Sequence, residues 1–276
     1  NDEFLMKLLT LQQDGSEAIS APSNWNRLPL LEVKTDLDKV IDDLRQSILP
    51  NVEGERTGRW HFFIGSPGNG KSASVGKIVR SLWEKGYVIH TEEGLDAKSL
   101  KKKQIPYILE VKEPDKKFSF AWLAQDASVL KNPFAIDVSP PKQLIDLLIE
   151  ASDRGISLVV CTNRGVIENA YKLIYLDSKL NRYFWFKALK CAIEDESSIE
   201  LEFDGEKKKK VFERFRVTST HLDNYSLLIN NDTFEKLIRK ATQEQFWHTC
   251  KRYKFNEYCP FYLNKEYLCQ DEGRLA

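Results

Sequence analysis

Eight consecutive residues, Gly65-Ser66-Pro67-Gly68-Asn69-Gly70-Lys71-Ser72, match the pattern G-x-x-x-x-G-K-[ST]. This is chemistry for a polyphosphate. Glycines let a loop turn successive backbone N–H groups inward at a helix N-terminus, where the positive end of the dipole favours an anion. In such a loop Lys71 reaches the β- and γ-phosphates of a nucleoside triphosphate, the Ser72 hydroxyl takes a Mg²⁺ position, and Gly65, Pro67, Gly68, Asn69, Gly70 and Ala73 join them in lining the phosphates. The pattern alone has chance matches, and a merely structural glycine turn is the alternative. Context favours the nucleotide: Trp60-His61-Phe62-Phe63-Ile64 has the content of a buried strand, and Val75, Ile78, Val79 and Leu82 then repeat at helical spacing until Gly86, a suitable left-handed cap.

Hydrolysis of a bound triphosphate also needs an acid at the end of a neighbouring strand to hold the metal. Asp126, ending the apolar run at 118–124, is the stronger candidate, and Asp137, after Phe134-Ala135-Ile136, is the other; either also suits a plain capping role. Asn163 follows the apolar run at 156–161 and is placed to hold the attacking water or the γ-phosphate through its amide, although Asn163-Arg164-Gly165 is equally good turn chemistry. The residue after Asp126 is Ala127, where many such ATPases carry a glutamate that polarises the water. Glu92, Glu93 and Glu110 are substitutes by strand-end position, and slow or partner-stimulated turnover is the expectation. Arg164 suits pairing with carboxylates; Arg182 suits the surface, or else a finger reaching a neighbouring subunit's phosphate.

Three further groups carry weaker chemistry. His248, Cys250, Cys259 and Cys269 make up a zinc donor set, but without any Cys-x-x-Cys knuckle, so buried, reduced thiols are the expectation. The lysine runs at 101–103 and 207–210 are local phosphate-contacting candidates for DNA, and most such runs are solvated loops. Phe184, Trp185 and Phe186 read as core or subunit interface before base-stacking platforms.

A frame of strands and helices has to hold these residues. Leu5, Leu8 and Leu9 predict a short opening helix; Thr35, Asp36 and Asp38 then start a second, with Leu37, Val40, Ile41, Leu44 and Ile48 on one face and Pro50 ending it. Further strands are expected at 87–91, 105–112, 118–125 and 156–161, a helix at 140–154 stopped by Gly155, and mostly helix over 168–194. Strands at 199–203 and 211–219 around Asp204-Gly205, and a helix at 233–248, close the chain. The expected class is α/β: a three-layer P-loop NTPase core with a parallel sheet at 58–195, a helical lead-in at 1–57, and a mixed α/β region at 196–276 completing the core and its lid.

Forty-one basic side chains balance forty-one acidic ones, so no global field draws the protein to nucleic acid, and DNA contact would need a local patch. No apolar run approaches the roughly 18 residues of a membrane span, nor is there a basic-then-apolar leader, and the expectation is a cytoplasmic protein. Five cysteines at irregular spacing argue for reduced thiols. A start at Asn1, with Met6 the only methionine, suggests a piece of a longer protein.

Together the loop, Asp126 and Thr162-Asn163 resemble the Walker A, Walker B and sensor-1 elements of AAA+-like P-loop ATPases. The wordings Ile64-Gly65-Ser66-Pro67-Gly68-Asn69-Gly70-Lys71-Ser72, Gln125-Asp126-Ala127-Ser128 and Val160-Cys161-Thr162-Asn163-Arg164-Gly165 further resemble the DptF (DndF) ATPases of phosphorothioation-dependent restriction systems. The resemblance implies ATP and Mg²⁺ as ligands, a bacterial anti-phage role, and partners in a restriction complex acting on DNA that lacks phosphorothioate marks. ATP over GTP rests on this resemblance and on the absence of an Asn/Thr-Lys-x-Asp guanine motif. Motor-type domains complete their sites from a neighbouring subunit, so nucleotide-promoted oligomerisation is expected. The competing class is a binding module that holds nucleotide as a switching ligand; a nucleotide kinase is disfavoured because no arginine-rich lid segment follows Asn163.

Overall fold

The structure is a computed structural model that describes residues 34–49, 57–67, 69–100, 106–128, 138–194, 199–202, 212, 214–225, 231–247 and 258–269. The chain divides into two compact units: one holds 37–224 among its residues, the other 225–276 with earlier segments. The larger unit is built on one seven-stranded sheet. Its strands in chain order are β1 (Thr57–Ile64), β2 (Val88–Thr91), β3 (Ile108–Lys112), β4 (Ala121–Ala124), β5 (Ser157–Thr162), β6 (Ile199–Glu202) and β7 (Arg214–His221), arranged in space as β2-β3-β4-β5-β1-β7-β6.

Strand β1 lies inside this sheet, parallel to β5 on one side and to β7 on the other. All six residues of β5 and all four of β4 are buried. Because successive side chains point to opposite faces, unbroken burial means that both faces are covered here, as in α/β proteins. Helices α1 (Asp36–Ser47), α2 (Lys71–Glu84), α3 (Pro140–Arg154), α4 (Arg164–Leu176) and α5 (Phe184–Glu194) supply cover through Ile41, Leu44, Ile78, Leu82, Leu148, Ile167 and Leu189, all in one core cluster. Trp60 anchors it: its ring N–H donates to the Ile156 carbonyl (3.1 Å), and the ring meets Phe184 and Phe215 at 5.1 and 5.6 Å.

The expectation of a parallel sheet needs correction. Only β4, β5, β1 and β7 form a parallel row; β2–β3, β3–β4 and β6–β7 pair antiparallel. The reason at β3–β4 is the connection, which runs from Glu113 to Phe120 and is too short for the dozen or more residues of a parallel crossover. The helix at 140–154 is found at those limits, ended by Gly155 in the left-handed conformation (φ 59°). The helical stretch expected at 168–194 is two helices, because Asp177 turns the chain between them by accepting the N–H groups of Lys179 and Leu180. Strands β6 and β7 bring the region after residue 195 into the same sheet.

In the smaller unit, α6 (Asn231–Ala241) is shorter than the helix expected at 233–248, and α7 (Pro260–Cys269) follows. The Lys265 ammonium is held there by Glu244 and Glu266 at 2.8 and 2.7 Å. The opening helix around Leu5 falls outside the described residues. No described helix is long and apolar enough to cross a membrane.

Candidate functional site

Parallel strands end their C-termini along one edge of a sheet, and the register fixes what meets there. Ile64 is level with Thr162 of β5 and His221 of β7, while Ala124 of β4 is level with Val160. The residues next in the chain are Gly65, Asn163 and Leu222, and Asp126 stands two residues past Ala124, so that four strands bring them to one edge. The ladder runs one residue past β1, Gly65 N–H donating to the Thr162 carbonyl (3.2 Å), before the chain leaves as the glycine loop.

Gly70 closes the loop at φ 83°, ψ 10°, a conformation that L side chains rarely adopt, and helix α2 begins at the next residue. No side chain caps this N-terminus and no acid lies in its first turn, so its opening N–H groups keep the positive character that suits an anion. Lys71 is buried, its ammonium donating to the carbonyls of Gly65 (2.7 Å) and Ser66 (2.9 Å). Ser72 is half-buried, and Ser66, Pro67 and Ala73 are exposed. Gly68 falls outside the described residues, as does Asp137.

Asp126 follows β4, half-buried, with Oδ1 accepting the Ser128 N–H (2.9 Å). The Ser128 hydroxyl oxygen in turn accepts the backbone N–H of Asn163 (2.9 Å), and Ala127 N–H donates to the Cys161 carbonyl (2.7 Å), tying the ends of β4 and β5 together. In the sequence Ser128 stands only as part of Gln125-Asp126-Ala127-Ser128, although a serine two residues after an aspartate is a turn signature. Asn163 caps α4, its side-chain oxygen accepting the Val166 N–H (2.9 Å). Its amide nitrogen is the group with which it can still donate. Cys161 lies beneath the site with its thiol toward the Lys71 carbonyl (3.5 Å); burial pushes its pKa up, the charge of Asp126 adds to this, and Lys71 opposes it. One buried thiol therefore feels both the loop lysine and the strand-end acid.

The remaining candidates separate clearly. Ala127 is fully buried, its N–H on the Cys161 carbonyl, so a side chain larger than a methyl group has no room there as the chain stands. Glu110 is not at a strand end: it stands mid-β3, opposite Trp122, and accepts the Ser119 hydroxyl (2.8 Å). Glu92 follows β2, which runs in the same direction as β4, and is exposed beside Glu93. The Tyr107 hydroxyl is pushed up to about 12, mainly by burial, with Glu92 and Asp126 among the negative charges that add to it. Arg164 pairs with Glu168 (2.7 Å), and exposed Arg182 donates to the Lys179 carbonyl (3.0 Å).

Trp185 is buried, and Phe184 stacks on Phe215 at 5.7 Å, as core aromatics. His248, Cys250 and both lysine runs fall outside the described residues, among which no group of three or more metal-binding side chains occurs. Burial of the C-terminal thiols is corrected: Cys269 is exposed and Cys259 half-buried, because α7 has little core around it, whereas Cys161 and Cys191 are buried.

One residue at this edge carried no sequence signal. Asp223, in the turn after β7, accepts the Ser66 N–H (3.3 Å) and the side-chain amide of Asn69, through the same oxygen. No family model, curated protein or solved structure matches the chain.

Proposed function

We propose that the chain is a P-loop ATPase with a three-layer core, the Mg²⁺-dependent, ATP-binding and ATP-hydrolysing component of a bacterial restriction complex that acts on DNA lacking phosphorothioate marks. One observation carries the nucleotide reading: the loop joins an interior strand, β1, to an uncapped helix N-terminus, with Asp126 and Asn163 at the ends of the next two parallel strands. The assignment to restriction rests on the resemblance of the three motifs alone.

In this reading the first N–H groups of α2 take phosphate oxygens, and Lys71 leaves the Gly65 and Ser66 carbonyls for the β- and γ-phosphates. The Ser72 hydroxyl and the Asp126 carboxylate are the groups that would hold Mg²⁺, which when bound neutralises developing phosphate charge. Asn163 donates its amide N–H to the γ-phosphate or the water while its oxygen stays on the cap. The uncapped, acid-free first turn fits a polyanion, and a half-buried carboxylate with one oxygen in a turn fits a water-mediated cation.

Calorimetric titration with ATP and Mg²⁺ tests the site. Lys71→Ala should abolish binding with the circular dichroism spectrum unchanged, and unaltered affinity would reject the loop as a nucleotide site. A second reading, a nucleotide-switched binding module, is favoured by the burial of Ala127 where an acid would activate water. Phosphate release measured with and without DNA separates the two.

A further inference from the structure

The sheet order gives the candidate site two flanks. Strands β5 and β4 lie on one side of β1 and bring Asn163 and Asp126, the groups suited to the γ-phosphate and its metal. Strand β7 lies on the other side, parallel to β1 over its whole length, and brings Leu222 and Asp223. Leu222 sits directly against the start of the loop: a Cβ added to Gly65 would stand 3.1 Å from the Leu222 Cβ. A linear triphosphate with its γ end toward Asp126 must carry its nucleoside away from that side, toward β7.

Asp223 is an unexpected group to find on a phosphate loop, because a carboxylate repels the ligand. Its contacts explain how it is accommodated. Oδ1 is fixed by the Ser66 N–H and the Asn69 side-chain amide, both at the outer arm of the loop and neither in the first turn of α2, where phosphate is expected. Oδ2 makes no hydrogen bond among the described residues, and the side chain is exposed. A carboxylate with one oxygen immobilised presents the other as an acceptor of fixed position, at a small entropic cost to a ligand.

We propose that Asp223 is a specificity-determining residue, its Oδ2 accepting an O–H or N–H from the nucleoside half of the ligand, either a ribose hydroxyl or the exocyclic amine of adenine. The inference rests on the loop being a nucleotide site, and the test separates the two ideas. Asp223→Asn retains an acceptor for Ser66 and Asn69 but replaces the second oxygen with a donor. Its affinity should therefore fall about tenfold or more for ATP, the scale of one charge-assisted hydrogen bond, and hold or rise for inorganic tripolyphosphate, which has no nucleoside and is relieved of a repelling charge. Wild-type affinities for 2′-deoxy-ATP, 3′-deoxy-ATP and inosine triphosphate then identify the donor, the weakened ligand being the one that lacks it. Tighter binding of both ATP and tripolyphosphate by Asp223→Asn would make the residue an electrostatic gate and overturn the proposal. Equal loss for both ligands, or no change for either, would make it a loop tether and overturn the proposal as well. Wild-type protein that binds neither ligand would reject the nucleotide site itself, and the role of Asp223 with it.

Discussion

His61 makes the stability of the larger unit depend on pH in a calculable way. It lies in the middle of β1, buried, with Nδ1 2.7 Å from the Thr218 hydroxyl and its ring edge-on to Phe63 at 4.5 Å. Nε2 has no hydrogen-bond partner among the described residues. Burial, with the positive charge of Arg59 adding, lowers the imidazole pKa from 6.5 to about 3. The unfolded chain therefore takes up a proton as the pH falls below 6.5, while the folded chain stays neutral until about 3. Between those values acid favours unfolding: the contribution is complete above 6.5 and is lost as the pH falls toward 3. Each pH unit within that window is worth about 1.4 kcal/mol, so the loss between pH 7 and pH 5 is about 2 kcal/mol from this side chain. His61→Phe removes the titration but keeps a ring beside Phe63, and the Thr218 hydroxyl keeps the Arg59 guanidinium as a donor at 3.3 Å. Urea unfolding at both pH values, followed through the fluorescence of the buried Trp60, Trp122 and Trp185, supplies the comparison. Wild type should lose about 2 kcal/mol more than the variant, other titrating groups being common to both. Equal losses would show that His61 accepts its proton as readily folded as unfolded, and would refute the argument.

Gly70→Ala meets no atom within 4 Å, so its cost is the strain of φ 83°, about 1 kcal/mol. The melting temperature should therefore move by only a few degrees while ATP affinity falls at least tenfold; an unchanged affinity would mean that the loop can bind with Gly70 in another conformation. Ala127→Glu puts a carboxylate where a methyl group is fully buried, at a cost of several kcal/mol. Expression in soluble form should collapse or the melting temperature fall steeply; a stable variant with faster phosphate release would show that position 127 faces the site after all.

The parts of the fold most legible in the sequence are those whose signals are local. The strand, loop and helix from Thr57 to Glu84 announce themselves by β-branched and aromatic residues, three glycines and a helical apolar repeat within one short stretch. The Asn163 cap is as local, its partner Val166 being three residues away, but the sequence offers Asn163 as turn chemistry and the helix starts at Arg164 rather than at the expected 168. Strand direction is not a property of composition: the short link between the expected strands at 105–112 and 118–125 already requires β3 and β4 to be antiparallel, whereas the β2–β3 pairing is given only by the register. Asp223 lies 157 residues from Ser66 and 154 from Asn69, and the strand expected to stop at 219 in fact runs to His221, which is what carries the following turn up to the loop. A contact fixed only by that register has no sequence signature.

The polar side chains of the edge are each held in part by the backbone around them. Lys71 is held by two loop carbonyls, the Asn163 oxygen by a helix N–H, and one oxygen each of Asp126 and Asp223 by backbone N–H groups. A phosphate chain can displace the lysine contacts, because charge-assisted bonds to phosphate are at least as strong as those to carbonyls, so ligand binding needs no outside group. Hydrolysis differs, since it needs a base for water, and the position following Asp126 is sealed in the core. Glu92, exposed after β2 beside Glu93, lies on the same edge, and β3 and β4 separate its strand from β5. If the proposed ATPase turns over at an appreciable rate, either Glu92 is brought inward or a group from a partner enters at the exposed rim. The second route makes the rate respond to assembly, and both leave affinity for nucleotide a property of the isolated chain.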